Sequence, residues 1–70
     1  MTFEELCTYV TSLKINDFHT YVAINSNWLK VGDYVFYEDG RIEETIHNGI
    51  IAKDMSYNQM LLKIDNIFKE

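Results

Sequence analysis

Residues 28–49 have the sequence WLKVGDYVFYEDGRIEETIHNG, in which two β-strand patterns are separated by a turn signal. Residues 28–37 are rich in aromatic and β-branched side chains, and residues 41–47 alternate between apolar and polar positions, as strands do. Residues 38–40 (EDG) are typical of a hairpin turn. Asn48-Gly49 predicts a second hairpin, of type I′, because both residues tolerate a positive φ. This stretch therefore predicts an antiparallel β-meander.

The first of these two strands is interrupted by Gly32. A glycine inside a strand often marks a β-bulge, which changes the side chains that point inward beyond it. We therefore predict a bulge at Gly32. The pattern leaves open whether Tyr34 and Phe36, or Val35 and Tyr37, face the core.

The segment 29–35 (LKVGDYV) also resembles the way in which small SH3-like barrels enter a strand. The resemblance covers about a tenth of the chain. It implies an alternative fold, a small, partly open SH3-like barrel with flanking helices.

Strand patterns continue on both sides of this stretch. Residues 18–24 predict a strand with Phe18, Val22 and Ile24 on one face. Residues 50–53 predict a short fourth strand after the Asn48-Gly49 turn. The meander is therefore expected to have three or four strands.

Helices are predicted at both ends of the chain. Thr2 and Glu5 match a capping box before an apolar face over residues 3–14, and Ser56 and Gln59 match a second one. The second helix carries an apolar stripe formed by Met60, Leu61, Ile64, Ile67 and Phe68. We predict a single α+β domain over residues 1–70, in the order helix, antiparallel meander, helix. Both helices should cover one sheet face, since antiparallel sheets commonly leave the other face to solvent.

Charge and composition exclude several classes of function. The chain has eleven acidic and six basic residues, giving a formal net charge of −5. Lys and Arg form no cluster of the kind that binds phosphates or anionic lipid, so we expect no direct nucleic-acid binding and no membrane association. No apolar run approaches the roughly 18 residues that span a bilayer. Cys7 is the one cysteine, so an intrachain disulfide is impossible and a reducing cytoplasm is the expected compartment.

Catalytic chemistry would have to come from Cys7, His19 and His47. Cys7 lies beside the apolar face of the first predicted helix, where a packed structural thiol explains it. One cysteine and two distant histidines do not match the three or four closely spaced ligands of a metal site. The three isolated glycines form no phosphate-binding loop. The sequence therefore predicts no enzyme, no metal and no cofactor.

Acidic residues are concentrated in one part of the predicted meander, and only Arg41 offsets them there. If the two strands around residues 38–40 pair, these carboxylates should converge at one end of the hairpin. Such a patch could bind a basic surface on a partner protein. The candidate acidic patch consists of Asp33, Glu38, Asp39, Glu43 and Glu44.

A second candidate surface is aromatic. Tyr and Trp are enriched at binding hot spots, although they are also ordinary strand formers. The candidates for the open sheet face, together with His19, are Tyr21, Trp28, Tyr34 and Tyr37.

These surfaces predict a non-enzymatic protein-interaction module. In the leading hypothesis it is a small acidic inhibitor or regulator that binds a basic, nucleic-acid-binding site on a partner, with DNA mimicry as the most specific version. Small size, acidity and a single domain suit proteins of phages or mobile elements. The alternative is a structural homodimer that uses the open aromatic sheet face or an edge strand.

Overall fold

A computed structural model of the chain describes residues 1–69. It confirms the α+β class and the order helix, antiparallel meander, helix, but the meander has five strands rather than three or four. The elements are α1 (Phe3–Asn16), β1 (Val22–Ile24), β2 (Trp28–Val31), β3 (Tyr34–Tyr37), β4 (Ile42–Glu44), β5 (Gly49–Ala52) and α2 (Tyr57–Lys69). The strands lie in the sheet in the order in which they occur in the chain.

The fifth strand arises because Gly32 makes a hairpin turn and not the bulge predicted from the sequence. Val31 pairs directly with Tyr34, so Gly32 and Asp33 form a two-residue loop. Gly32 has a φ of +59°, whereas Asp33 is not among the residues of positive φ. A positive φ at the first central position alone is the signature of a type II′ turn, which suits the twist of paired strands. The apolar run of residues 28–37 is therefore two strands.

The turn predicted at residues 38–40 is confirmed. Gly40 has a φ of +99° and is buried against the segment that leads into α2. Its carbonyl accepts a 2.9 Å hydrogen bond from the amide of Met55. A Cβ atom at this position would lie 3.1 Å from the nitrogen of Met55, so both the conformation and the close approach require glycine.

The hairpin between β4 and β5 exists, but its turn is not the predicted Asn48-Gly49 type I′ turn. Glu44 pairs with Gly49, which leaves the four residues 45–48 as the loop. Asn48 has the left-handed φ of +50°, whereas Gly49 belongs to β5. A register shift beside Ile42 then produces a bulge in the β4–β5 pairing.

The first strand also starts later than the sequence pattern indicates. β1 begins at Val22, and Phe18 is 83% exposed in the preceding loop. The ammonium group of Lys14 donates hydrogen bonds to the carbonyls of Phe18 and Thr20. The Asp17 carboxylate accepts a 2.9 Å hydrogen bond from the amide of His19. These bonds use backbone groups of the loop that a longer β1 would need for pairing.

Both predicted capping boxes are present. The amide of Glu5 donates to the Thr2 hydroxyl at 3.1 Å, and the amide of Thr2 donates to the Glu5 carboxylate at 2.8 Å. Ser56 and Gln59 make the same reciprocal pair at 3.1 and 2.9 Å. These bonds satisfy amides that an α-helix leaves unpaired in its first turn.

The core lies between one sheet face and both helices, as predicted. Phe36 is fully buried on this face and Tyr34 packs beside it, so Tyr34 and Phe36 are the pair that faces inward. Within residues 1–69 the edge strands β1 and β5 do not pair with each other, so the sheet is open and the SH3-like barrel is not the observed fold. The buried side chains are Phe3, Leu6, Val10, Leu29, Val31, Phe36, Ile42, Met60 and Ile64.

Both helices begin at the same end of the sheet, because an odd number of antiparallel strands separates them. The rings of Phe3 and Tyr57, from the first turns of the two helices, are 5.9 Å apart. The Tyr57 hydroxyl donates a 2.6 Å hydrogen bond to the carbonyl of Glu38, in the β3–β4 turn. We call this the upper end; the β2–β3 and β4–β5 turns lie at the opposite, lower end.

Candidate functional site

The predicted acidic patch does not form as a single cluster. Asp33 lies in the β2–β3 turn at the lower end, whereas Glu38 and Asp39 lie in the β3–β4 turn at the upper end. Glu43 and Glu44 are neighbours on β4 and point to opposite sheet faces. The prediction that all five carboxylates converge is therefore wrong, because it treated residues 28–37 as one strand and overlooked the turn that contains Asp33.

Asp39 is held by a cation at the upper end. The guanidinium Nε of Arg41 lies 2.8 Å from Asp39 Oδ2, and its backbone amide also donates to this carboxylate. The hydrogen bond from the Arg41 side chain is the main reason why the pKa of Asp39 lies below its ordinary value. The same guanidinium lies 4.5 Å from the centre of the Tyr37 ring. Asp39 thus contributes less free negative charge than a solitary carboxylate would.

The two carboxylates of β4 also have local partners. The Tyr37 hydroxyl donates a 2.6 Å hydrogen bond to Glu43, and this bond raises the pKa of Tyr37. Glu44 contacts the Nδ1 atom of His47, and that hydrogen bond lowers the pKa of Glu44. Both glutamates therefore have structural roles within the sheet.

A different set of acids meets at the upper end. Glu38 lines one groove together with Glu4, from the first turn of α1. Glu38 and Asp39 also line a second groove, together with Asp54, which precedes α2. We call Glu4, Glu38, Asp39 and Asp54 the acidic end. Glu4 and Asp54 are distant from the β3–β4 turn in the chain, so the local sequence pattern does not place them beside it. A count of five strands places both helix starts beside this turn and so identifies both residues.

The acidic end has a structural role as well. Helix N-termini carry partial positive charge, and two of them lie side by side here. Glu4, in the first turn of α1, is placed to stabilise that helix through this charge. Three segments form this end: residues 1–5, 38–41 and 53–58. Their basic residues are Arg41, which is already bound to Asp39, and Lys53, which is next to Asp54 in the chain.

The sheet face opposite the helices is uncovered in the described part of the chain. Trp28 and Tyr37 are directly opposed on β2 and β3, and Lys30 opposes Val35. The ammonium group of Lys30 lies 5.3 Å from the centre of the Tyr21 ring. We define the open face by Tyr21, Trp28, Lys30, Val35, Tyr37 and Glu43.

Three of the four predicted aromatic residues belong to the open face, and Tyr34 does not. Tyr34 lies on the helix-covered side, where the Lys63 ammonium is 4.6 Å from the centre of its ring. The turn at Gly32 determines which sheet face Tyr34 occupies, because Val31 and Tyr34 are paired and therefore point to the same side. His19 lies in the loop before β1, exposed at the lower end.

The candidate catalytic residues are not assembled. Cys7 lines a groove at the upper end of α1, whereas His47 lies in the β4–β5 turn and His19 in the α1–β1 loop, both at the lower end. Partial burial raises the pKa of the Cys7 thiol, which disfavours the reactive thiolate. Within residues 1–69 no three His, Cys, Asp or Glu side chains are placed to hold a metal ion. Neither described helix is long and apolar enough to cross a membrane.

Comparison with family models, with curated proteins and with solved structures gives no match for this chain. Function is therefore inferred from its own surfaces.

Proposed function

We propose that this chain is a non-enzymatic protein-interaction module that binds a basic surface of a partner protein through its acidic end. The observation that carries the proposal is the meeting of Glu4, Glu38, Asp39 and Asp54 at the end where both helices begin. These residues come from three separate segments of the chain, so the fold concentrates negative charge that is dispersed in the sequence.

The location of these carboxylates supports a role in recognition. Glu38 and Asp39 are exposed in a turn, where side chains are available to a partner. Exposed charges steer encounter with an oppositely charged surface and select against surfaces of the same sign. A nucleic-acid-binding enzyme presents a basic surface of this kind. We therefore propose an inhibitor or regulator that competes with nucleic acid, acting in a reducing cytoplasm, and of the type encoded by phages or mobile elements.

The test compares two charge reversals of equal size. Glu38→Lys changes the acidic end, and Asp33→Lys makes the same change in the hairpin turn at the lower end. Partners are captured from a lysate of the native host on the wild-type chain, identified, and measured by titration calorimetry at low and physiological salt. Glu38→Lys should weaken binding while Asp33→Lys leaves it near wild type, and wild-type binding should fall as salt rises.

Competition with duplex DNA for the identified partner distinguishes nucleic-acid mimicry from binding elsewhere on that protein. Binding that is independent of salt, or that responds equally to Glu38→Lys and Asp33→Lys, would contradict the proposal.

A second candidate function, a structural homodimer, is favoured by the apolar edge at β5. Ile50 and Ile51 are 41% and 49% exposed on this edge strand, and Ile46 is 65% exposed in the adjoining turn. Exposed apolar edge strands are templates for pairing with another chain. Light scattering over a range of concentrations measures the mass in solution. A dimer that dissociates on Ile50→Lys uses the edge, and one that dissociates on Trp28→Ala uses the open face.

A further inference from the structure

The other edge of the sheet, at β1, has backbone groups directed away from β2. The amide of Asn25 donates to the carbonyl of Trp28 at 2.9 Å, and the amide of Gly32 donates to the carbonyl of Tyr21 at 2.8 Å. In an antiparallel ladder, alternate residues of an edge strand bond to the neighbouring strand and the residues between them point outward. The outward residues of β1 are therefore Val22 and Ile24, which present two N–H and two C=O groups at the sheet edge.

An apolar groove lies beside this edge. Val22 pairs with Val31, and Ile24 pairs with Leu29. Paired residues point to the same sheet face. Because Leu29 and Val31 are buried, the side chains of Val22 and Ile24 lie on the side of α1. Ile24 is 47% exposed there. At the upper end of β1, Ile24 lines the groove together with Phe3 and Cys7 from α1. A strand added to β1 would place alternate side chains in this groove.

The rim of the groove is acidic. Glu4 and Glu38 line it, and the remaining lining residues, Asn25 and Ser26, are uncharged. A cationic side chain entering from the added strand would thus meet two carboxylates and no competing cation in the groove.

We propose that β1 accepts an extended, lysine- or arginine-bearing segment of a partner protein as a sixth strand. Apolar side chains of the segment lie against Ile24 and Cys7, and a cationic side chain reaches Glu4 and Glu38. The backbone bonds supply affinity and the groove supplies selectivity, as in other strand-addition complexes. This inference rests on the proposed function and specifies the partner segment that the acidic end would recognise.

Two alternatives fit the structure less well. A second copy pairing through its own β1 would bring Val22-Ala23-Ile24, a segment without a cation, to an acidic rim. The β5 edge is more apolar, which suits pairing with another apolar strand, such as a second copy of this chain, rather than with a basic segment. The β1 edge combines an undistorted ladder with complementary charge, which favours a basic partner segment.

The test uses an acetylated and amidated eight-residue peptide with lysine, valine, valine and lysine at alternate positions, so that they share one face of a strand, and threonine between them. It is added to the isotopically labelled full chain. Three matched peptides accompany it: a version with glutamate in place of lysine, a version with lysine and valine on opposite faces, which should bind more weakly, and a version N-methylated at alternate residues so that it lacks half of its amide donors. Binding should shift the amide resonances of Val22 and Ile24 and slow their hydrogen exchange. N-methylation should weaken binding about tenfold or more, and the glutamate peptide should not bind.

Protein variants separate this inference from the proposed function. The double variant Glu4→Gln, Glu38→Gln should weaken binding of the lysine peptide. The control variant Asp33→Asn, Asp17→Asn should not weaken it, and is measured only if its melting temperature is retained. Absence of binding, shifts confined to β5 or the open face, or equal affinity for the N-methylated peptide would overturn strand addition at β1. If, in those cases, binding of the partner captured from lysate still depends on Glu38, the acidic-end function is retained without strand addition at β1. If neither ligand depends on Glu38, both proposals fail.

Discussion

The Tyr9 hydroxyl donates a 2.6 Å hydrogen bond to the carboxylate of Asp65, joining α1 to α2 near the middle of both helices. The two helices run parallel, so residues at similar depth along each can meet. This hydrogen bond is the main reason why the pKa of Tyr9 is raised above its ordinary value of 10.0. The interhelical contact is thus coupled to pH in the alkaline range.

Stability should fall above about pH 10, and Tyr9 should account for part of that loss. A raised pKa in the folded state means that the protonated tyrosine stabilises the fold below its unfolded pKa, and this contribution is lost as pH rises through the folded pKa. Tyr9→Phe should therefore lower the melting temperature at pH 8 and reduce its further decrease towards pH 11. Tyr21→Phe, on the exposed open face, is the matched control. Parallel melting profiles for wild type and Tyr9→Phe would contradict this.

Ile64→Ala should destabilise the domain by about 2–5 kcal/mol, the usual range for a large-to-small change in a core. Ile64 is fully buried on the inner face of α2, whereas Leu62 is 64% exposed on the same helix. Chemical denaturation of Ile64→Ala and Leu62→Ala compares the two positions within one element. Since small domains often have only ~5 kcal/mol of stability, Ile64→Ala is expected to shift the midpoint strongly. Equal midpoints for both variants would show that α2 does not pack through Ile64.

Gly40→Ala should cost about 1–3 kcal/mol, because its φ of +99° strains any residue with a Cβ atom. The new atom would also approach the Met55 backbone. Gly49→Ala is the control, since its Cβ would meet its nearest neighbour at an ordinary 3.7 Å. In thermal unfolding, the melting temperature of Gly40→Ala should be well below that of Gly49→Ala. The reverse ranking would show that the β3–β4 turn tolerates a side chain.

Cys7 should be a slow nucleophile in the folded protein. Burial raises the pKa of its thiol, and the Glu4 carboxylate adds to this effect, so less thiolate is present at a given pH. Alkylation by iodoacetamide at pH 8 should be slower in the native protein than in guanidinium, and Glu4→Gln should accelerate the native reaction. Native alkylation as fast as in denaturant would contradict the assigned environment.

The helices could be predicted from sequence because their signals are local. Thr2 with Glu5, and Ser56 with Gln59, form hydrogen bonds within one turn of helix, so four residues contain the information. The strand count could not be obtained in the same way. Gly32 is compatible with a bulge or with a type II′ turn, and the pairing of Val31 with Tyr34 depends on the rest of the sheet.

The candidate site depended on that single choice. With Gly32 as a bulge, Asp33 belongs to the same hairpin end as Glu38, and Tyr34 could face outward. With Gly32 as a turn, Asp33 moves to the lower end, Tyr34 turns towards the core, and Glu4 and Asp54 join Glu38. Long-range placement of charges therefore required the topology, although Glu38, Asp39 and the three aromatic residues of the open face were identified from sequence.

The sequential order of the five strands also bears on how the chain folds. Each strand pairs with its neighbours in the chain across connections of two to four residues, so no pairing must wait for a long loop to close. Topologies dominated by such local contacts have low contact order and fold rapidly for their size. We expect the slower step to be the docking of α1 onto α2 and the sheet, because these contacts join opposite ends of the chain. Stopped-flow refolding of Tyr9→Phe against wild type would show whether the interhelical bond forms before or after the rate-limiting barrier.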